Sequence, residues 1–207
     1  MIGALPEHLT VGDTDYPIRS DYRNVLDVFE AFNNPELTDA EKWEVAIYMM
    51  FECFSCYEDA FEAAKAGFLV EDVVDYFPLE EAMKQINWFI SAGMPDGIDL
   101  EKPVYDWKKD EQLIFSSVNK VAARETRDPE SYLHWWTFLG YFREVGEGTF
   151  LFITGIRNKL NKGKKLEKHE KEFLSHNKEL VKLEKPKSKE EQEQEDAYNA
   201  LLNEVLG

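Results

Sequence analysis

Residues 128–142, DPESYLHWWTFLGYF, set the strongest limit on what this chain can become. They hold a histidine, two adjacent tryptophans and four further aromatic residues in fifteen positions. At helical spacing Trp135, Phe138, Leu139 and Phe142 form one apolar stripe, and Leu133, Trp136 and Gly140 form a second. A helix apolar on more than one face must be surrounded by neighbours. The chain therefore has to supply several other elements to wrap it, with Gly140 letting one of them approach closely. Asp128 followed by Pro129 gives an N-cap and a first-turn proline, so the pattern predicts that the helix opens there. Gly146 or Gly148 ends it, and Thr149 caps a short helix through Arg157. His134 lies between the stripes with no second histidine within helical reach, which argues against a metal site. The aromatics read as a buried hub, with Trp135, Trp136, Phe138 and Phe142 in the core.

The wrapping elements are legible upstream. LTVGDTDYPI, residues 9–18, reads as two short strands around a Gly-Asp turn, a hairpin at most. Ser20 or Asp21 caps a first helix whose inner face is Val25, Leu26, Phe29 and Phe32, and NNPEL stops it. Thr38 with Glu41 is a capping box. From it Trp43, Ala46, Ile47, Met50, Phe51 and Phe54 follow the spacing of one helix face. A further piece over 58–66 stops at Gly67, and VEDVVDYF gives one or two turns. Pro78 begins a helix over 79–92 that Gly93 ends, and MPDGIDLEKPV is a loop. Asp106 caps a helix to about Arg127 with Trp107, Ile114, Val118 and Val121 inward. Asp110 falls on that inward row. A buried acid is normally paired, so it is expected to meet an arginine, with Arg157 the first choice.

Charge divides the chain again. Residues 1–157 hold 13 Lys and Arg against 30 Asp and Glu, which equals the net −17 of the whole sequence. Residues 158–187 carry a surplus of five positive charges and residues 188–207 a surplus of five negative ones. So acidic a body repels nucleic-acid phosphates, so no nucleic-acid partner is expected. No apolar run is long enough to span a bilayer, and MIGALPEHLT lacks the basic start and apolar stretch of a signal peptide. Neither a membrane partner nor secretion is expected.

Residues 164–185 are rich in Lys and Glu with scattered apolar positions (Leu166, Phe173, Leu174, Leu180, Val181 and Leu183), and Pro186 breaks the run. Ser188 with Glu191 then forms a second capping box, after which Ala197, Tyr198, Leu201, Leu202 and Val205 line one side of a helix. An amphipathic stripe needs something to lie against: the body, a second copy or a partner. Tyr198, Leu201, Leu202 and Val205 are the partner-binding candidates that the residues alone provide.

Signatures of catalysis are missing. The sequence has no phosphate-binding glycine loop, no H-E-x-x-H and no G-x-S-x-G. His8, His134, His169 and His176 are dispersed. Cys53 and Cys56 form a C-x-x-C at the far end of a helical pattern, away from the helix N-terminus that lowers a redox thiol's pKa. They read as small buried thiols. Neither an enzyme nor a cofactor is expected.

Three segments carry a resemblance. YPIRSDYR at 16–23, YDWKKDEQLIFSSV at 105–118, and LHWWTFLGYF at 133–142 with TGIR at 154–157 are similar, in order and spacing, to motifs of a tailed-bacteriophage family known as gene product fifteen. The resemblance covers about residues 10–160. Many members have a Gly-Ile-Asp-Leu type turn before LHWW, where this chain has AARETRDPESY. The resemblance implies a phage protein of the tail-morphogenesis cassette, acting in the bacterial cytoplasm like a tail assembly chaperone and absent from the mature virion. Such a protein shields the tape-measure protein until tail-tube subunits polymerise around it.

The expected architecture is all-α: a compact helical domain over residues 1–160 with a small N-terminal hairpin, then a charged helical C-terminal arm over 161–207. The expected function is a non-catalytic, self-associating chaperone that binds the tape-measure protein, with the tail tube protein as a further partner. The alternatives are a structural virion component (a tail terminator or head–tail connector) and an acidic inhibitor of a host DNA-binding protein.

Overall fold

The computed structural model describes residues 3–54, 77–94 and 103–183. Among the described residues, eight helices and one two-stranded hairpin make up the regular structure, so the fold is all-α with a small N-terminal hairpin. These residues fall into two compact units. Residues 3–6, 20–26, 87–94 and 103–183 form the first, and residues 7–19, 27–54 and 77–86 the second.

In the second unit, β1 (His8–Val11) pairs antiparallel with β2 (Thr14–Pro17), with Leu9 opposite Tyr16 and Val11 opposite Thr14. Gly12 takes the positive φ of the turn between them, and its N–H donates to Glu81 Oε2 at 2.9 Å. Leu9 and Val11 alternate inward. Helix α1 (Tyr22–Phe32) belongs to this unit from residue 27 onward, and α2 (Asp39–Met50) opens with the Thr38–Glu41 capping box. Arg19 closes the other end of α2: its Nη1 donates to the carbonyls of Tyr48 (3.0 Å) and Phe51 (2.7 Å), and Nη2 to Phe54 (2.9 Å). A cation there satisfies carbonyls that the helix cannot and meets the negative end of its dipole. Tyr16, Phe51 and Phe77 pack edge to face at 5.3–6.1 Å.

Two inner faces differ from those expected here. Helix α1 buries Tyr22, Val25, Val28 and Ala31, while Leu26, Phe29 and Phe32 are half-buried. Trp43 is also half-buried, because its indole meets Phe32 edge-on at 4.8 Å on the margin of α2 rather than at its centre. The centre of α2 is Val45, Ala46, Ile47, Met49 and Met50.

The first unit holds the end of α3 (Leu79–Ile90), α4 (Glu111–Ala122), α5 (Trp135–Arg143), α6 (Thr149–Asn161), α7 (Lys168–His176) and α8 (Lys178–Val181). Its core joins Tyr22, Ile114, Val118, Trp135, Phe138, Ile153 and Ile156, with the Tyr22 ring stacked on Phe138 at 4.4 Å. Residues 161–183, assigned on sequence to the arm, carry α7 and α8 and belong to the same unit as α6.

Both ends of α4 and the start of the hub helix differ from those expected, each for a visible reason. Asp106 caps the turn before α4, accepting from the N–H groups of Lys108 and Lys109, so the helix begins at Glu111 instead of after Asp106. It ends at Ala122 rather than Arg127. Ala123 turns left-handed there, and Asn119 Oδ1 accepts from Thr126 to fold the chain back.

The hub helix starts at Trp135, not at Asp128–Pro129. Asp128 caps only a local turn, accepting from the Glu130 N–H. Residues 133 and 134 are held extended against 20–22: Tyr22 N–H donates to Leu133 O, and Trp135 N–H, the first of α5, donates to Ser20 O. With those two groups taken, the helix cannot continue upstream of Trp135.

Trp135 and Phe138 are buried as expected here, whereas Trp107, Trp136 and Phe142 are half-buried. Phe142 and Trp107 pack on each other at 4.9 Å beside Tyr105, at the edge of the core. Gly140 admits no neighbour: a Cβ built there meets nothing within 4 Å.

Candidate protein-interaction surface

The polar groups buried in the first unit are occupied with holding backbone together. Asp110 and Arg157 are in direct contact, at 2.5 Å (Nη1 to Oδ2) and 3.0 Å (Nη2 to Oδ1), with both side chains almost fully buried. Arg157 also donates to the carbonyls of Val181, Leu180 and Val104. All five guanidinium N–H groups therefore have acceptors, and one side chain ties α4, α6, α8 and residue 104 together. Asp110 Oδ2 additionally accepts from the Asp106 N–H at 3.0 Å. A carboxylate so enclosed serves packing, not proton transfer.

His134 is the N-cap of α5. Its Nδ1 accepts from the Trp136 N–H at 3.0 Å, which leaves the proton on Nε2 to donate to Pro6 O, also at 3.0 Å. The next two residues finish a different helix: Trp135 Nε1 donates to Ile90 O and Trp136 Nε1 to Phe89 O, the last carbonyls of α3. Both ring nitrogens of His134 and both indole N–H groups are thus committed to backbone.

One part of this arrangement faces outward. Trp88, 43% exposed, meets the half-buried Trp136 edge-on at 5.3 Å, and Met94, 51% exposed, follows in the chain. Gly93 makes the approach possible. With φ at +70° its N–H turns back to Trp88 O, and a Cβ there would stand 3.3 Å from the Trp88 indole nitrogen. The result is an indole pair with a flexible thioether side chain nearby in sequence, a combination suited to irregular apolar partners. Trp88 and Met94 were not singled out from sequence. The helical register does set Trp88 apart from the inward Ile86 and Phe89, and this was the available signal. Tyr198, Leu201, Leu202 and Val205 lie outside the described residues, as does Cys56.

The model of a family described as bacteriophage Gp15 protein matches residues 1–183. The chain belongs to the bacteriophage Gp15 protein family. It is a phage protein, on the structural and morphogenetic side of phage biology. No curated protein and no solved structure matches it.

The motif residues of this Gp15 family member have structural work. In YPIRSDYR, Ile18 bridges to Phe51, Arg19 caps α2, and Ser20 Oγ meets the Tyr132 hydroxyl at 2.7 Å. Asp21 accepts from the Leu133 N–H and from Arg23, which itself donates to Asp128 O at 2.6 Å. The later motifs contribute Asp110, His134, Trp135, Trp136 and Arg157, described above.

Titration shifts follow the same packing. Burial raises the Tyr105 hydroxyl's pKa. Hydrogen bonds from Arg127, with a further one from Asn119, hold Glu125 down to about 2. Hydrogen bonds from Lys159 and the Glu167 N–H lower Glu170. Cys53 is reached by solvent, yet its thiol is pushed up, chiefly by partial burial, the reverse of what a reactive cysteine requires. Among the described residues no group of three or more His, Cys, Asp and Glu side chains is placed to hold a metal ion, and no helix is long and apolar enough to cross a membrane.

Proposed function

We propose that this Gp15 protein is a non-catalytic tail assembly chaperone that binds the tape-measure protein in the host cytoplasm and leaves before the virion is complete. The observation that carries the reading is exposed Trp88 against half-buried Trp136, near exposed Met94 in sequence, on a body whose residues 1–157 hold a net −17. A tape-measure chain presents apolar helical stripes before assembly, and an aromatic surface can cover them. The acidic remainder keeps the complex dissolved. The amphipathic spacing of Tyr198, Leu201, Leu202 and Val205 supplies a second contact, and the tail tube protein is a further candidate partner.

Co-expression with the tape-measure protein of the same phage tests this. The reading expects a soluble complex, weakened when residues 188–207 are deleted while the circular-dichroism melt of the body is kept. Mass spectrometry of purified particles should find the tape-measure protein and not this chain. Finding the chain in stoichiometric amounts would instead make it a tail terminator or connector component. Salt-sensitive binding to a host DNA-binding protein, in competition with DNA, would make it an acidic inhibitor.

A further inference from the structure

Helix α6 turns Ile153 and Ile156 into the core. On another side Phe152, Gly155 and Lys159 share one row at three, four and seven residues' spacing, and α7 lies over that row. His169 stacks on Phe152 at 5.8 Å, Phe173 meets the same ring edge-on at 5.1 Å, and Lys159 Nζ donates to both Glu170 oxygens at 2.7 and 2.9 Å. The cover is loose. Glu170 is the one side chain α7 buries, and a Cβ at Gly155 would meet nothing within 4 Å. At its start α7 follows an exposed Lys162-Gly163-Lys164-Lys165 link in which Gly163 takes φ +62°. Beyond Asn177, α8 is secured separately, by buried Val181 and by Arg157 on the Leu180 and Val181 carbonyls.

A nine-residue helix has little stability of its own and depends on what it packs against. Here α7 buries one side chain fully and meets α6 through an ion pair and two ring contacts, so α7 can open without the core opening. We propose that α7 is a displaceable strap over the Phe152–Gly155–Lys159 face of α6. A partner helix bearing a carboxylate three residues before an aromatic, the Glu170–Phe173 arrangement, takes its seat. The partner half of this proposal rests on the chaperone reading. The unfilled space at Gly155 gives an incoming helix room for one more side chain than the strap places there.

Amide hydrogen exchange on the full chain, alone and with the tape-measure protein, tests both halves. Alone, α7 should exchange about 100-fold faster than α4 and α5, through an opening that low urea barely affects. The double variant E170Q/F173A should raise the α7 rate about tenfold further while leaving α4 and α5 unchanged. Exchange of α7 in step with α4 and α5 would overturn the strap. In the complex, α7 should exchange faster still while residues 152–159 become protected. A complex that forms with α7 unchanged overturns the shared seat and leaves the chaperone reading standing, whereas failure to form any complex overturns both.

Discussion

Arg157 spends all five of its N–H groups on acceptors 2.5–3.0 Å away, and two of them meet Asp110 as a parallel pair inside the first unit. Removing either partner leaves a buried charge without compensation. Asp110→Ala or Arg157→Met alone should therefore cost about 3–5 kcal/mol in urea unfolding. The double variant should cost less than the two singles added together, because the charges leave at once. Additive losses would show that the pair is not energetically coupled.

Gly140 lies inside α5, exposed, with open space where a Cβ would be. Gly140→Ala should stabilise the protein by about 0.5–1 kcal/mol, through helix propensity and a less free unfolded chain. A loss of stability would mean that the glycine is needed for close approach after all. Thermal melts at matched concentration decide the sign.

The architecture was legible where local spacing and tertiary packing agree. The Thr38–Glu41 box, the Gly12 turn and the inward placement of Asp110 each depend on residues within a few positions of one another. The start of the hub helix was not legible, because Asp128–Pro129 is a good local opening that loses to pairing between residues 133–135 and 20–22, more than 100 positions away. Gly140 misled for a related reason. Spacing says which face a residue occupies and not whether a neighbour lies opposite. The candidate surface was the least legible part: Trp136 reads as core by spacing, and nothing local shows that Trp88, 48 positions upstream, meets it.

Glu125 is held at about 2, below its ordinary 4.5, first by the side-chain hydrogen bonds of Arg127. A depressed carboxylate stabilises the fold fully above its unfolded value and loses that contribution as pH falls through its folded value. The Glu125 contribution should thus be intact above 4.5 and fade toward about pH 2. The carboxyl carbon shift of Glu125, followed by NMR from pH 6 downward, should show a midpoint near the lower value. In Glu125→Gln the acid branch of the stability profile should flatten. A midpoint at the ordinary value would contradict the assigned hydrogen bonds.

Trp88 and Met94 are exposed, whereas Asp110 and Arg157 are buried. Trp88→Ser with Met94→Ser should lower tape-measure capture at least fivefold, the size of losing about 1 kcal/mol of buried apolar contact. Denaturation should show the body folded at the same urea concentrations. Unchanged capture would move the contact surface elsewhere, the 188–207 segment first.

We propose that this Gp15 protein keeps the tape-measure protein soluble before assembly. Light scattering of the freshly diluted tape-measure protein, with and without an equimolar amount of the full chain, tests it most directly. Suppressed scattering and a co-eluting complex of defined mass on size exclusion are the expected result. Unchanged scattering, with the chain eluting alone, would contradict it.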